Sequence, residues 1–287
     1  MFEVDKMKEF KDKVAVITGA ASGIGRAIAR KCVEEGMKVV LADINEQGLT
    51  EAEAELTAAG GTILAVPTDV SKAGDIEALA QRTLDAFGGV HLLVNNAAVY
   101  TTGTIWENTI ADWEWVLGVN LWGVIHGVRT FVPIMLKQDA ESHVVNVSSM
   151  TGLTRTSIIG TYAVSKHGIV ALSETMFYEL AERGSNVKVS VLCPGAVNTP
   201  VAEAARRRLD EMKNVPGERK MTSEDERVMG RLSNSFRKGM PPKEVAEKVF
   251  HAIRKEKFYI LSHPQEKIRV KRRMEGILEE RNPTLPP

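Results

Sequence analysis

The amino-acid sequence predicts a doubly wound α/β fold, in which helices cover both faces of one parallel sheet. Short apolar runs rich in β-branched residues alternate with helical segments along most of the chain. These runs are apolar at nearly every position, and only a sheet covered on both sides buries both faces of such strands. Because no Pro/Gly/Ser-rich linker interrupts the pattern, we expect a single domain that spans residues 1–287.

The first half of the chain repeats a strand, a turn and a helix. The run Val-Ala-Val-Ile at 14–17 lies between charge and glycine, and a helix from Arg26 to Glu35 follows it and ends at Gly36. A helix from Glu46 to Ala59 ends at Gly60-Gly61, because glycine adopts the left-handed conformation that terminates helices. The other elements predicted in this half are strands at 39–42, 62–66 and 91–94 and a helix at 76–87.

The second half continues the alternation. A long and mostly apolar helix is predicted from Ile110 to Leu136. A strand at 144–147 comes next, then a helix from Thr161 to Glu182 and a strand at 187–192. Strands that are joined through helices in this way pair in parallel, because the crossover returns the chain to the same edge of the sheet.

Two segments near the C-terminus depart from the pattern. A charged stretch from Val201 to Lys238 interrupts it, and we interpret residues 200–240 as a lid. A helix that begins with proline, Pro242 to Arg254, and a last strand, Phe258 to Leu261, come after the lid. The C-terminal extension, residues 264–287, carries apolar residues among many charges and predicts one more helix.

Charge and composition exclude several kinds of partner. The chain has 37 Lys and Arg against 37 Asp and Glu, so no overall charge attracts it to nucleic acid or to an acidic membrane. The segment from Met1 to Lys13 is dense in charge and lacks the apolar core of a signal peptide, and no other run looks long and apolar enough to span a bilayer. We therefore expect a cytoplasmic protein whose partner is a small molecule, with no nucleic-acid or membrane partner.

Cysteine and histidine positions give no sign of a metal site. Cys32 and Cys193 do not form a closely spaced pair, and we interpret both as reduced packing residues. The six histidines are scattered, without two at a metal-ligand spacing. We predict that the protein holds no metal.

A glycine-rich turn follows the first predicted strand and opens the first helix. Thr18 to Gly25 reads Thr-Gly-Ala-Ala-Ser-Gly-Ile-Gly, and the backbone N–H groups of such a turn, with the helix dipole, can hold a pyrophosphate. A Cβ at Gly19 or Gly23 would block the tight turn or the approach of a dinucleotide, and Gly25 lets helix and strand pack. Glycine clusters also occur for structural reasons alone, but here the strand before and the helix after favour a dinucleotide site.

Asp43 ends the second predicted strand, eighteen positions after Gly25. Its carboxylate can accept both ribose hydroxyls of an adenosine and repels a 2′-phosphate, which favours NAD over NADP. The alternative is that Asp43 caps the helix that starts near Asn45. Neutral Ile44 offers no cation for a 2′-phosphate, and Arg26, which would argue for NADP, is interpreted as a solvated surface residue.

Further motifs recur at fixed spacings. Tyr162 and Lys166 form a Tyr-x-x-x-Lys motif, and Ser149 comes thirteen residues before the tyrosine. The remaining motif residues are Asp69-Val70, Asn95-Asn96-Ala97, Asn120, and Pro194-Gly195 followed by Val197 and Thr199. Together with the glycine turn, these motifs resemble the short-chain dehydrogenase/reductase family, over nearly the whole chain from about Lys13 to Leu261. One departure is Ala98, where the family usually has glycine.

The resemblance implies a Rossmann-type fold and an oxidoreductase acting on alcohols and ketones, since the Tyr-to-Lys interval is four rather than the longer one of bacterial enoyl reductases. The residues that it implies for cofactor binding are Gly19, Ser22, Gly23, Ile24, Gly25, Asp43, Asp69, Val70, Asn96, Ala97, Tyr162, Lys166, Pro194, Gly195, Val197 and Thr199. It also implies that Lys166 binds the nicotinamide ribose.

The chemistry of ketone reduction assigns roles to the catalytic candidates. A ketone needs a proton on its oxygen as hydride arrives, and the Tyr162 phenol can supply it. Lys166 lies four residues on along one helix, so its ammonium should lie beside the phenol and lower the phenol's pKa. Ser149, at the carboxyl end of a strand, can donate a hydrogen bond to the substrate oxygen, and the family spacing selects it over Ser148.

Asn120 interrupts an otherwise apolar helix, where a buried amide needs partners. The family resemblance implies that it holds a water in a proton relay to Lys166. The alternative is a satisfied core amide that braces the next strand.

The residues placed near the substrate are largely apolar. They are Tyr100, Thr151, Ile159 and Ala196, with Met212, Met221 and Met229 available from the lid. Our hypothesis is a secondary alcohol or ketone on a medium-sized hydrophobic skeleton. The two long helices are apolar enough to leave a face for a partner, so we expect a homo-oligomer, a dimer or a tetramer.

Two other functions stay open. One is a reductase that prefers NADPH, acting on ketones or on 3-oxoacyl groups. The other belongs to a different class, a dinucleotide-binding sensor or scaffold without turnover. The complete set of Ser149, Tyr162, Lys166 and Asn120 argues against the sensor, because a binding protein needs no acid.

Overall fold

A computed structural model describes residues 9–154, 157–201 and 222–283 of the chain. Within them seven strands form one parallel sheet in the order β3-β2-β1-β4-β5-β6-β7, flanked by helices, which confirms the predicted doubly wound α/β fold. The strands are β1 Val14–Thr18, β2 Lys38–Asp43, β3 Thr62–Pro67, β4 Leu92–Asn95, β5 Ser142–Val147, β6 Val187–Leu192 and β7 Tyr259–Ile260. β1, β4 and β5 are buried along their whole length, as apolar runs between two helical layers require.

The helices form one layer on each face of the sheet. Their bounds are α1 Gly23–Glu34, α2 Glu46–Ala58, α3 Ala73–Phe87, α4 Ile110–Leu117, α5 Gly123–Gln138, α6 Gly160–Glu182, α7 Ser223–Arg237, α8 Pro242–Arg254 and α9 Lys267–Leu278. On one face Ile28 of α1 and Phe250 of α8 are fully buried in the same apolar cluster. On the other, Leu79 of α3 and Phe131 of α5 occupy a second cluster. These four helices thus cover the sheet with an apolar stripe each.

The strand order reverses between β1 and β4, and this reversal positions the site. The chain runs outward from β1 to β3 and then crosses back to place β4 on the other side of β1. A crevice opens where connections leave neighbouring strands in opposite directions. Here Thr18 and Asn96 meet: the Thr18 hydroxyl accepts from the Asn96 backbone N–H at 2.9 Å, and the Asn96 amide donates to the Thr18 carbonyl at 2.8 Å.

The long helix predicted from Ile110 to Leu136 is present but contains a wider turn. α4 and α5 are continuous through a π-helical segment, Gly118–Trp122, and the whole runs from Ile110 to Gln138. By length and composition alone it is apolar enough to cross a membrane, so the expectation that no run meets that test was wrong. The helix is apolar because Phe131 and Met135 pack fully buried against the sheet, which is also typical of a core helix.

The C-terminal third differs from the sequence prediction in detail. The predicted lid contains helix α7, while residues 202–221, including Met212 and Met221, lie outside the described part of the chain. The predicted last strand is only two residues long, because just Val191 and Leu192 of β6 pair with it. The extension contains α9, whose Ile277 and Leu278 are exposed.

Candidate active site

The glycine turn joins β1 to α1 at the carboxyl edge of the sheet. Gly19 and Gly23 have φ of +66° and +55°, a conformation that side chains disfavour. A Cβ on Gly25 would lie 2.2 Å from the Gly19 carbonyl oxygen, so only glycine lets helix and turn approach this closely. Ser22 precedes the first turn of α1 and makes no capping hydrogen bond with its side chain. The helix N-terminus therefore presents backbone N–H groups toward the crevice, a cradle that fits a dinucleotide phosphate.

Asp43 connects the end of β2 to this turn. Its carboxylate accepts from the Ala21 backbone N–H at 3.0 Å and from the Asn45 N–H at 2.9 Å. The cap of α2 is Asn45, whose side chain accepts from the Gly48 N–H at 3.1 Å. The cap role that competed for Asp43 is thus taken by Asn45, and Asp43 braces the glycine turn.

Arg26 contacts the other backbone group of Ala21. Its guanidinium donates to the Ala21 carbonyl at 3.4 Å and forms an ion pair with Glu55 on α2 at 2.5 Å. Arg30 pairs with the same carboxylate. The expectation of a merely solvated Arg26 was therefore wrong, because Glu55 neutralises it. The sequence gives no sign of this pair, since Glu55 is one of several acidic residues on α2.

Two further motif positions line the crevice beyond the glycine turn. Burial raises the pKa of Asp69, but hydrogen bonds from Ser71 and the nearby Lys72 ammonium outweigh it and hold the pKa below its usual range. Val70 is buried against Gly123, where a Cβ would lie 2.9 Å from a Val70 methyl carbon. A Cβ on Gly19 would in turn lie 2.9 Å from the Ala97 Cα. These contacts fix the shape of the crevice floor.

Ser149, Tyr162 and Lys166 meet at the carboxyl end of β5. Ser149 follows that strand, and its hydroxyl lies near enough to the phenol of Tyr162, in the first turn of α6, to oppose the rise in that phenol's pKa. The same hydroxyl accepts from the Thr151 backbone N–H at 3.1 Å. Lys166 lies one helical turn after the tyrosine, and its Nζ is 5.4 Å from the centroid of the Tyr162 ring. The structure therefore brings together the three groups that the sequence singled out.

The electrostatics of this cluster are dominated by burial. Lys166 is 1% exposed, and its Nζ donates to the Val147 carbonyl at 2.8 Å. Burial lowers the pKa of Lys166 to about 7. Burial also raises the pKa of Tyr162 to about 12, against an opposing hydrogen bond with Ser149. The pKa of Tyr162 is therefore not lowered by Lys166 as the sequence predicted. Burial disfavours the Lys166 ammonium itself, and the cost of desolvating the Tyr162 phenolate outweighs the attraction between the two groups.

Asn120 lies inside the π-helical segment and is fully buried. Its side-chain oxygen accepts from the Val99 N–H at 2.8 Å, and its amide donates to the Val99 carbonyl at 2.9 Å and to the Ser165 hydroxyl at 3.0 Å. The side chain is thus a hydrogen-bonded core amide, but it braces the segment after β4 and not, as that interpretation predicted, the strand that follows its own helix. The sequence does not reveal the π turn, although the polar residue in an apolar helix marks its place.

The turn after β6 runs from the catalytic cluster to the glycine turn. At one end the Pro194 carbonyl accepts from the Met150 backbone N–H at 2.8 Å. At the other, the Thr199 methyl carbon lies 2.9 Å from where a Gly23 Cβ would be. Between them Val197 is buried and pairs with Met240. Residues 194–199 therefore span the distance between the glycine turn and the loop that carries Ser149.

A small apolar cluster packs against Tyr162. Tyr100 and Met229 are buried at its centre, and the ring centroids of Tyr100 and Tyr162 are 6.4 Å apart. Helix α7 contributes Phe236, which packs on Tyr100 at 6.3 Å. Ile159, Val201 and Leu232 complete the cluster. Sequence reasoning named Tyr100, Ile159 and Met229 for this region and missed Phe236 and Leu232, which lie in the irregular pattern of the lid.

Two other predicted substrate residues lie in the turns that follow β5 and β6. Thr151 is in the short 3₁₀ turn directly after Ser149. Ala196 is in the turn after β6, where its carbonyl accepts from the Met240 N–H at 2.9 Å. Their backbones are thus engaged in holding the site together.

Comparison with known proteins identifies relatives of the same kind. The family model for short chain dehydrogenase matches residues 13–210. A short chain dehydrogenase/reductase from Burkholderia phymatum, solved in complex with NAD, is 45% identical and superposes with a TM-score of 0.94 over 98% of this chain and 99% of that chain.

Two curated proteins match over most of their length. A CLA biosynthesis dehydrogenase/reductase from Lactiplantibacillus plantarum is 32% identical over 96% of this chain and 97% of its own. A 1-deoxy-11-beta-hydroxypentalenate dehydrogenase from Streptomyces exfoliatus is 31% identical over 96% of this chain and 91% of its own. With the parallel sheet and the glycine turn described above, these matches place the chain in the short-chain dehydrogenase/reductase family of oxidoreductases.

Proposed function

We propose that this protein transfers a hydride between NAD(H) and a secondary alcohol or ketone on a medium-sized hydrophobic substrate. The observation that carries the proposal is the convergence of Ser149, Tyr162 and Lys166 at the sheet edge that also holds the glycine turn. A dinucleotide lying along residues 194–199 from that turn would bring its nicotinamide to these three groups.

Each residue has a chemical task in this proposal. NAD(H), when bound, supplies or accepts the hydride. Tyr162, whose pKa is about 12, keeps its proton at neutral pH and donates it to a ketone oxygen. Ser149 donates a hydrogen bond to the same oxygen and stabilises the charge that develops there. Lys166, whose pKa is about 7, is poised to exchange protons near neutrality and to bind the nicotinamide ribose.

The residues that would hold the cofactor are those at the crevice. Backbone groups of the glycine turn and α1 hold the pyrophosphate, and Asp43 accepts from the adenosine ribose. The full proposed set is Gly19, Ser22, Gly23, Ile24, Gly25, Asp43, Asp69, Val70, Asn96, Ala97, Tyr162, Lys166, Pro194, Gly195, Val197 and Thr199.

Two charges support NAD over NADP. The Asp43 carboxylate at the end of β2 repels a 2′-phosphate, and Glu55 already neutralises Arg26, the nearby cation. The relative from Burkholderia phymatum, solved with NAD, agrees with this preference. The test is to measure the affinities of the protein for NADH and NADPH by fluorescence titration and to repeat them with Asp43→Ala. A wild-type preference for NADPH would favour the alternative, an NADPH-dependent ketone or 3-oxoacyl reductase.

The apolar cluster supports a hydrophobic substrate. Tyr100, Ile159 and Phe236 pack in one apolar cluster with Tyr162, and we propose that Thr151 and Ala196, from the turns after β5 and β6, also contact the substrate. The Streptomyces relative, a hydroxypentalenate dehydrogenase, acts on a hydroxyl group. A panel of alcohols tested with NAD checks the proposal: turnover confined to small sugars or acyl thioesters would contradict the apolar site.

Tyr162→Phe tests the catalytic assignment. This variant should lose turnover by a factor of about a hundred or more while its affinity for NADH stays within twofold of wild type, because only the acid is removed. The sensor or scaffold alternative makes the opposite prediction, a wild-type protein that binds NADH but turns over no member of the alcohol panel. Unchanged turnover in Tyr162→Phe would contradict the mechanism.

The remaining expectations about organisation are also proposals. Residues 1–287 form one domain, with residues 200–240 as a lid over the apolar cluster and 264–287 as a C-terminal extension. The faces of α5 and α6 carry the apolar groove formed by Val132, Leu172 and Met176, with Phe177 exposed close by. These faces pair in a homodimer or homotetramer of a cytoplasmic enzyme. Light scattering that shows a strict monomer would contradict the assembly.

A further inference from the structure

His263, from the segment after β7, contacts the turn after β6 through both nitrogens of its ring. Its Nδ1 lies 3.0 Å from the Gly195 backbone nitrogen, and its Nε2 lies 3.0 Å from the Ala196 carbonyl oxygen. The Ser262 hydroxyl also lies 2.9 Å from Nδ1. The residue is 6% exposed, so these bonds form away from water. A scattered histidine, 68 positions from Gly195, thus becomes part of the site's architecture.

The two backbone partners fix the protonation of the ring. A backbone N–H can only donate, so Nδ1 must accept from Gly195. A carbonyl can only accept, so Nε2 must carry the proton that it donates to Ala196. An imidazole ring with its proton on Nε2 satisfies both contacts together, and it holds the Pro194–Gly195 and Ala196–Val197 peptide groups, which lie on either side of the Gly195–Ala196 peptide.

The ring also fits the turn by shape. A Cβ on Gly195 would lie 2.9 Å from the His263 Cγ and 3.1 Å from its Cδ2. Glycine at 195 and the flat ring of His263 are therefore complementary, and the ring supports the turn from below the crevice floor.

The turn does not depend on His263 for its attachment to the sheet. The Cys193 N–H donates to the Ile260 carbonyl at 2.9 Å, and the Met240 N–H donates to the Ala196 carbonyl at 2.9 Å. The additional contribution of the histidine is to hold the Gly195 N–H, at the other end of the peptide group whose Pro194 carbonyl accepts from the Met150 N–H at 2.8 Å. The same Pro194 carbonyl accepts from the Ser149 hydroxyl at 3.5 Å.

We propose that His263 is a positioning residue that orients the Pro194-Gly195-Ala196 turn for the nicotinamide half of the cofactor. The proposal rests on the function proposed above. The turn begins beside Ser149 and ends at Gly23, so its first residues face the reacting end of a dinucleotide and its last residue faces the phosphates. Loss of the ring's hydrogen bonds should therefore weaken binding of the nicotinamide end of the cofactor and leave binding of the adenosine end unchanged.

The test separates the two halves of the cofactor. His263→Phe keeps a flat ring and removes both hydrogen bonds, while His263→Asn places an oxygen near Nδ1 that can accept again from Gly195. Affinities for NADH and for ADP-ribose, which lacks the nicotinamide, are measured by calorimetry for each variant. Ser262→Ala serves as the control, because it removes a neighbouring hydroxyl and leaves the ring in place.

We expect His263→Phe to weaken NADH binding about tenfold, the scale of one or two net hydrogen bonds, with ADP-ribose affinity unchanged within twofold. His263→Asn should recover part of the NADH affinity, and Ser262→Ala should bind both ligands as wild type does. Equal weakening of both ligands in His263→Phe and His263→Asn would mean a structural role only and would overturn the proposal. So would unchanged NADH affinity in a folded His263→Phe protein.

Failure of the underlying function is distinguishable from failure of this inference. A wild-type protein that binds ADP-ribose and NADH equally, without any contribution from the nicotinamide, contradicts the proposed function. If the nicotinamide adds affinity in wild type and the same gain remains in His263→Phe, only the role of His263 is contradicted.

Discussion

The glycine turn and the catalytic cluster lie at the same edge of the sheet, yet they are built in opposite ways. The turn is made of backbone: Gly19 and Gly25 approach each other more closely than a Cβ allows, and the Asp43 carboxylate is held by backbone N–H groups. The cluster is made of side chains whose burial opposes their charge, with the pKa of Lys166 at about 7 and that of Tyr162 at about 12. Substitutions in the glycine turn should therefore act by changing the backbone geometry. Substitutions in the cluster should act by removing a side chain that takes part in the reaction.

Lys166→Met should have the largest effect and should separate activity from stability. We expect turnover to fall about a thousandfold, because the ammonium beside the phenol is lost. The free energy of unfolding should nevertheless rise by about 1–3 kcal/mol at pH 7. The buried amine no longer has to be desolvated, and this gain exceeds the cost of leaving the Val147 carbonyl without its donor. Denaturant titration alongside turnover checks both parts.

The pH dependence of this gain in stability follows from the lowered pKa of Lys166. The unfolded chain keeps the Lys166 proton up to its ordinary pKa of 10.5, whereas the folded protein releases it near 7. Between these values the unfolded state binds more protons, so the lysine's penalty in wild type shrinks as pH rises. The stability difference between Lys166→Met and wild type should therefore decrease from pH 7 to pH 10. A constant difference would contradict the lowered pKa.

Gly25→Ala tests whether a steric change in the backbone of the glycine turn is enough to weaken cofactor binding. Its Cβ would lie 2.2 Å from the Gly19 carbonyl oxygen, so α1 must move away from β1. We expect a loss of about 2–3 kcal/mol of stability and weak NADH binding, even though no polar group changes. Gly74→Ala in α3 is the matched control, since a Cβ there meets nothing within 4 Å. Wild-type NADH affinity in Gly25→Ala would refute the shape argument.

Glu55→Gln should have the smallest effect, confined to cofactor preference. Removing the carboxylate frees Arg26 next to the glycine turn, so affinity for NADPH should rise a few-fold relative to NADH. Arg30→Gln, which removes the other partner of Glu55 and leaves the Arg26 pair intact, should leave the ratio unchanged. An unchanged ratio of NADPH affinity to NADH affinity in Glu55→Gln would show that Glu55 does not contribute to cofactor preference.

The fold and the motif residues were predictable because each depends on short stretches of sequence. The bounds of β6 and α8 agree with the apolar pattern at both ends, and the glycine turn falls between β1 and α1 as its spacing requires. Tyr162 and Lys166 meet because four residues make about one helical turn. Ser149 reaches them because parallel strands end at one edge of the sheet.

What escaped prediction depends on contacts between distant segments. His263 reaches Gly195, and Glu55 reaches Arg26, only after the strands are ordered. The pKa of Tyr162 rises because of burial, which the four-residue spacing to Lys166 does not reveal. Phe236 covers Tyr100 from a segment whose sequence pattern is irregular.

The wider turn at Gly118–Trp122 sets a constraint on changes of length in this helix. The wider turn holds about one residue more than an α turn for the same full rotation, so deleting one residue there would restore regular winding and keep the residues beyond it in phase. Each residue of an α-helix turns the chain by about 100°, so the same deletion in the regular part of α5 before Phe131 would swing everything beyond it by that angle, and Phe131 and Met135 would leave the sheet. Changes of length should therefore be better tolerated at the wider turn than in the regular winding of α5.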